Sequence, residues 1–191
     1  MSIKVSNLHF SYGQHSILND ISFVAEDGEL LSVLGPNGVG KSTLFRCILR
    51  LLNGYQGKIQ INDVETNDLS IEEMAKLVAY IPQSHYPAFD MVLMGTSVQV
   101  SAISSPGKKQ IQLVEDALER LEISHLKNRG CSQISGGERQ LVLMARALVQ
   151  KSRILILDEP TANLDFGNQV RVLTQVKSLA SDGYTVIQST H

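Results

Sequence analysis

Cysteine is scarce in this chain: only Cys47 and Cys131 occur in 191 residues, far apart and outside any CxxC or Cys/His cluster. That argues against a disulfide framework or a thiolate zinc site and fits a reducing compartment. Long apolar runs are lacking too, none approaching the ~18 residues that a membrane-spanning helix needs. The opening "MSIKVSNLHFSYG" alternates apolar with polar residues, where a secretory leader would carry a basic start and an apolar stretch. Neither sign of charge dominates. Lys plus Arg number 17 against 19 Asp plus Glu, a formal net charge of -2, so bulk charge gives no reason to expect a nucleic-acid partner. Repeats, low-complexity tracts and obvious linkers are absent. What is present is one globular domain, 43% hydrophobic, long enough to bury a substantial core and expected to be soluble by itself.

Periodicity orders that domain. Ile3, Val5 and Leu8, then Ile17 and Leu18, then Ile21 and Phe23 predict short antiparallel strands over residues 1–27. Leu30 to Leu34 is a continuous apolar run, as expected of a strand buried on both faces. Helical spacing runs from Ser42 to Leu52 and should stop at Asn53-Gly54. "GKIQIND" predicts a strand entering a turn, and Ser70 with Glu73 predicts a capping box. Ile111, Val114, Leu118 and Leu121 mark an amphipathic helix over 108–122, followed by a helix from Gly136 to Val149. "RILILDEP" predicts a buried strand stopped by Pro160, then a helix over 167–180 and a last strand in "YTVIQSTH". Strands alternating with helices predict a parallel sheet with crossover helices. The chain stops directly after a strand that a helix would normally cover, which reads as a domain truncated at its C-terminal end.

The chemistry starts in "ELLSVLGPNGVGKSTLFRCIL", residues 29–49. Gly35, Gly38 and Gly40 allow backbone conformations with φ > 0. A loop so wound gathers successive N–H groups into a concavity for polyphosphate. The helix that follows adds uncapped N–H groups and the positive end of its dipole. Lys41 can reach the outer phosphates, and the Ser42 hydroxyl can ligate Mg²⁺. Chance yields the bare GxxxxGK[ST] pattern in roughly one chain in one or two hundred, so the flanking strand and helix carry the assignment. A tight glycine turn with an incidental lysine is the plain alternative.

A second acidic strand end supports it. "ILILDEP" puts Asp158 and Glu159 at the edge where open parallel sheets bind ligands. Asp158 suits a metal, and Glu159 suits polarising a water. An isolated acidic pair would more simply be a solvated turn. "ISGGERQ" at 134–140 offers a second anion-seeking helix start, with Ser135 as N-cap before two small residues.

In this order the pieces resemble the nucleotide-binding subunit of ABC transporters, from Leu8 to His191. The most specific piece is "ISGGERQ", similar to that family's signature, with Ile134 for the more usual Leu and Glu138 for the more usual Gln. The resemblance implies an α/β fold: a P-loop NTPase with a mainly parallel core sheet and an N-terminal antiparallel β subdomain, together making a RecA-like/antiparallel β core over 1–82 and 151–191, and a helical subdomain over about 84–150. It implies ATP held by Tyr12, in "FSYG", against adenine and by Gly35, Pro36, Asn37, Gly38, Val39, Gly40, Lys41, Ser42 and Thr43 around the phosphates. Ser135, Gly136, Gly137 and Glu138 would close over ATP from a second copy. Mg²⁺ would be held by Ser42, Asp158 and Gln83 of "YIPQ", with Glu159 activating water and His191 touching the γ-phosphate. "NLD" at 163–165 matches the loop that crosses to the second subunit.

The family pattern implies a head-to-tail homodimer with two ATPs between the copies, bound to an integral membrane permease at the cytoplasmic face of the membrane, and a substrate-binding protein acting indirectly. "FDMVLMG", "NRGCSQISGGERQLVLMARAL" and "LDFGNQ" resemble the importers of iron-siderophore, haem, cobalamin and related metal chelates, which commonly carry Arg where this chain has Thr96. Phe89, Met91, Val92, Leu93 and Met94 fit either a partner-facing Met-rich surface or a core helix. Two other classes stay open: a soluble ABC-type ATPase acting on nucleic acid or ribosomes, and an ATP-binding but inactive cassette. The single cassette and near-neutral charge weigh against the first.

Overall fold

The computed structural model describes residues 1–81, 92, 107–129 and 133–190. Two four-stranded sheets organise it. Strands β1 (Ile3–Tyr12), β2 (His15–Ala25), β4 (Gln56–Ile61) and β5 (Val64–Glu65) form an antiparallel sheet in the order β2-β1-β4-β5. Strands β3 (Leu30–Leu34), β6 (Val78–Ile81), β7 (Ile154–Leu157) and β8 (Thr185–Thr190) form a wholly parallel sheet in the order β3-β8-β7-β6. The helices are α1 (Lys41–Ile48), α2 (Ile71–Leu77), α3 (Lys108–Arg120), α4 (Gly136–Val149) and α5 (Phe166–Ser181). Among the described residues no helix is long and apolar enough to cross a membrane.

Alternation along the parallel strands divides the core in two. Ile154, Ile156 and Ile187 face a cluster that takes in Phe45 and Ile48 of α1 and Ile3, Leu8 and Ile59 of the antiparallel sheet. Leu155, Leu157 and Val186 face the other way, onto Leu121, Leu141 and Val176 of the helical side. This two-sided burial is why "RILIL" reads as an unbroken apolar run. Val92 is fully buried in the second cluster, which favours a core position for that residue; its neighbours 84–91 and 93–106 lie outside the described residues.

Three expectations are corrected. Leu30 to Leu34 is not buried on both faces: among the described residues β3 lies at the sheet edge, paired with β8, Ser32 is exposed and Leu34 is 70% exposed. Apolar composition does not separate an edge strand from a central one; position in the sheet does. The helix after the glycine loop stops at Ile48, not Leu52, because Arg50 takes a left-handed φ of 57°. The Leu51 N–H then bonds back to the Arg46 carbonyl at 2.8 Å, closing the last turn without a glycine. Ile111, expected on the apolar stripe of α3, is 39% exposed. The spacing of Val5 and Leu8, three apart yet both buried, has a local cause. The register of β1 shifts at Asn7 (φ 47°), whose Nδ2 donates to Asp20 Oδ1 at 2.8 Å.

Candidate functional site: a phosphate-binding corner

Four parallel strands end on one edge, and the residues singled out above follow those ends. The glycine loop leaves β3, Asp158 and Glu159 leave β7, Ser189 lies near the end of β8 and Tyr80 near the end of β6. Gly38 and Gly40 take φ of 81° and 109°. At Gly40 a Cβ would also lie 2.8 Å from Ile17 Cγ2, so a side chain there meets both strain and a wall. Helix α1 therefore starts from a left-handed N-cap with no side chain capping it and no acidic residue in its first turn. Its first N–H groups and its dipole are left for an anion.

These groups line a cavity of about 260 Å³ with Lys41, Ser42, Thr43, Tyr12 and Glu159 around it. Lys41 is 6% exposed. Its Nζ donates to the carbonyls of Gly35 at 2.6 Å and Pro36 at 3.3 Å, and lies 3.4 Å from Glu159 Oε1. Tyr12 ends β1 half-exposed, its ring edge-on to Phe10 at 4.9 Å and 89°. One apolar face is thus held in place at the mouth, as stacking on a base requires.

Asp158 is buried, and among the described residues its partners are hydroxyls with no ion pair. Ser189 Oγ donates to Oδ1 at 2.9 Å and Tyr80 OH donates to Oδ2 at 3.2 Å. Ser189 Oγ also accepts from the N–H of Glu159 at 2.8 Å, holding that residue at a left-handed φ of 50°. Burial, with the neighbouring Asp158 charge, pushes the Tyr80 phenol up to about 12. Sequence reasoning missed Tyr80 and Ser189; the only signal was a hydroxyl near the end of each of two largely buried strands. Among the described residues no three His, Cys, Asp or Glu side chains form a metal cluster. Mg²⁺ takes one or two protein oxygens and completes its shell with phosphates and water. A buried carboxylate and the Ser42 hydroxyl are donors of that kind.

The signature segment lies elsewhere. No residue of 133–140 lines the glycine-loop cavity. Ser135 caps α4: its Oγ accepts from the N–H of Glu138 at 3.2 Å, and Glu138 Oε2 accepts from the N–H of Ser135 at 2.7 Å. Oε1 of Glu138 faces His125 Nε2 at 3.3 Å. Glu at this position thus completes a capping box. Ser135 and Gly136 are exposed and Gly137 is buried. A Cβ on Gly137 would meet Asn168 Oδ1 at 2.4 Å, so α4 begins in close contact with the start of α5. Asp165 caps α5 through the Asn168 N–H at 3.0 Å, following Asn163 at φ 59°. Gln83 and His191 lie outside the described residues.

The Glu138 box has a pH signature. The Ser135 N–H, above all, holds the Glu138 carboxyl below its ordinary 4.5. Its stabilisation is therefore present above that value and lost as pH falls through the depressed folded value. Glu138→Gln keeps the acceptor without the titration. Its thermal midpoint should fall less than that of the wild type between pH 5 and pH 3, and equal losses would show that the box does not couple to pH.

Parallel sheet, glycine loop and acidic strand end together define a P-loop nucleotide-binding domain. The chain belongs to the ABC transporter family, whose model matches residues 18–162; it is an ABC transporter ATP-binding subunit and, as in that family, hydrolyses ATP. It is 41% identical, over 196 aligned positions, to an uncharacterised ABC transporter ATP-binding protein of Haemophilus influenzae, covering 100% of this chain and 74% of that protein. It is 41% identical over 183 positions to a Helicobacter pylori protein described as an iron chelatin transport ATP-binding protein, covering 93% and 72%. A solved structure described as a metal-chelate type ABC transporter, inward-facing, superposes with a TM-score of 0.84 at 34% identity, covering 100% and 73%.

Proposed function

We propose that this subunit drives import of a metal chelate, such as an iron complex, haem or cobalamin, from the cytoplasmic face of the membrane through a separate permease fed by a substrate-binding protein. The likeness to the iron chelatin and metal-chelate proteins supports that substrate class. Two copies pair head to tail, each signature closing the other's ATP site. The observation that carries the pairing is that Ser135 and Gly136 are exposed on a helix start that takes no part in its own chain's cavity.

Within that arrangement Lys41 and the loop amides hold the phosphates. Tyr12 stacks on adenine. Ser42, Asp158 and Gln83 hold Mg²⁺, which neutralises phosphate charge when bound. Glu159 takes the proton of the attacking water, and His191 contacts the γ-phosphate. The permease docks on the apolar groove of about 430 Å³ between the turn that follows α1 and helix α2, where Leu51 and Ile71 are 63% and 85% exposed. The tagged chain should copurify with an integral membrane protein, and Ile71→Glu should weaken that association without changing basal ATPase activity. Capture of nucleic acid in place of a membrane protein would overturn the transport reading.

A further inference from the structure

We propose that Tyr80 is a positioning residue that links the groove beside α2 to Asp158, so that occupancy of the groove sets how the carboxylate is presented to the metal. The inference rests on the reading of Asp158 as a Mg²⁺ ligand and of the groove as the permease site.

Tyr80 stands where two cavities meet. The groove of about 430 Å³ and a second cavity of about 210 Å³, walled by Leu143, Arg146 and Gln150, share Ala75, Val78 and Tyr80. The ring is therefore one surface common to both spaces, while its hydroxyl reaches 3.2 Å to Asp158 Oδ2. The other carboxylate oxygen is fixed differently. Ser189 is fully buried on the central strand β8, and its Oγ is engaged twice, to Asp158 Oδ1 and by the Glu159 N–H.

An aspartate's terminal torsion is broad and roughly two-fold, so one hydrogen bond leaves the carboxylate free to swing. Two donors on two different oxygens pin its plane. Of the two, the Ser189 anchor sits in packed core, and the Tyr80 anchor belongs to a half-buried ring open to the groove. A displacement of the ring moves one end of the carboxylate and not the other. Hydrogen-bonded partners of metal ligands are commonly worth 10–100-fold in metal affinity.

The test uses the full chain carrying Glu159→Gln, so that ATP is not consumed, with Mn²⁺ as the paramagnetic probe. Mn²⁺ half-saturation is read by electron paramagnetic resonance in the presence of ATP, and metal-free ATP binding is measured separately. Tyr80→Phe should raise the Mn²⁺ half-saturation about 10-fold, the low end of that range, and leave metal-free ATP binding unchanged. Ala75→Phe, which crowds the ring from the groove, should shift Mn²⁺ half-saturation with Tyr80 present and not with Phe at 80. Ile71→Trp at the exposed rim is the second groove probe if Ala75→Phe does not fold. Asp158→Asn separates the layers. If it leaves Mn²⁺ binding intact, the metal reading of Asp158 fails. If it abolishes binding while Tyr80→Phe has no effect, or if the groove variants act equally in both backgrounds, the Tyr80 link alone is overturned.

Discussion

Glu159→Gln is expected to leave a protein that binds Mg-ATP, pairs with a second copy and turns over about 10²–10⁴-fold more slowly, the usual contribution of a positioned general base. The substitution keeps size and hydrogen-bonding reach at a side chain that is 15% exposed on the cavity wall. What it removes is the basic oxygen and the negative charge. Removing the charge has a second consequence. Glu159 Oε1 lies 3.4 Å from Lys41 Nζ, so the carboxylate competes with phosphate for the ammonium. With Gln at 159 that competition weakens, and ATP affinity should hold or rise while turnover collapses. Opposite movements of affinity and rate are difficult to obtain from a folding defect, which lowers both. Single-turnover hydrolysis with calorimetry of ATP binding checks the pair. Wild-type turnover in the variant would remove Glu159 from the chemistry.

How much of this could be read from residues alone depends on distance along the chain. The glycine loop, the capping box at Ser70–Glu73, the N-cap at Ser135 and the apolar strand before Asp158 lie within a few residues of sequence, and the structure places each where its pattern puts it. Such features are set by local hydrogen bonding and side-chain period. The features that were missed depend on sheet order. Nothing in "LLSVL" says which strand β3 pairs with, because its neighbour β8 arrives some 150 residues later. The hydroxyls on Asp158 come from 78 and 31 residues away. A hydroxyl in a buried strand signals a buried partner without naming it. Arg50 ended α1 in a left-handed conformation that the more obvious glycine downstream concealed. The family pattern was legible because it is a sequence of local motifs. The coupling between those motifs was not, since it exists only after folding.

Lys41→Ala tests the foundation, since every phosphate contact proposed starts from this corner. Lys41 is 6% exposed, so its charge acts with little screening from water. Hydrogen bonds to charged groups contribute about 1.5–3 kcal/mol each, and at 1.4 kcal/mol per decade the loss of one or two phosphate contacts corresponds to about 10²–10³-fold weaker Mg-ATP binding. The cost to the fold should be far smaller. The Gly35 and Pro36 carbonyls that Lys41 now satisfies belong to a half-buried and an exposed residue, so water can replace the ammonium there. The thermal midpoint without nucleotide should therefore move little, whereas the shift produced by saturating Mg-ATP should vanish. Lys41→Arg should rescue poorly despite keeping the charge: its planar fork cannot stand in for a compact ammonium seated between the Gly35 carbonyl and the loop. Undiminished ATP affinity in Lys41→Ala would mean that phosphate is bound somewhere other than this loop, and the roles given to Ser42, Asp158 and Glu159 would have to be withdrawn together.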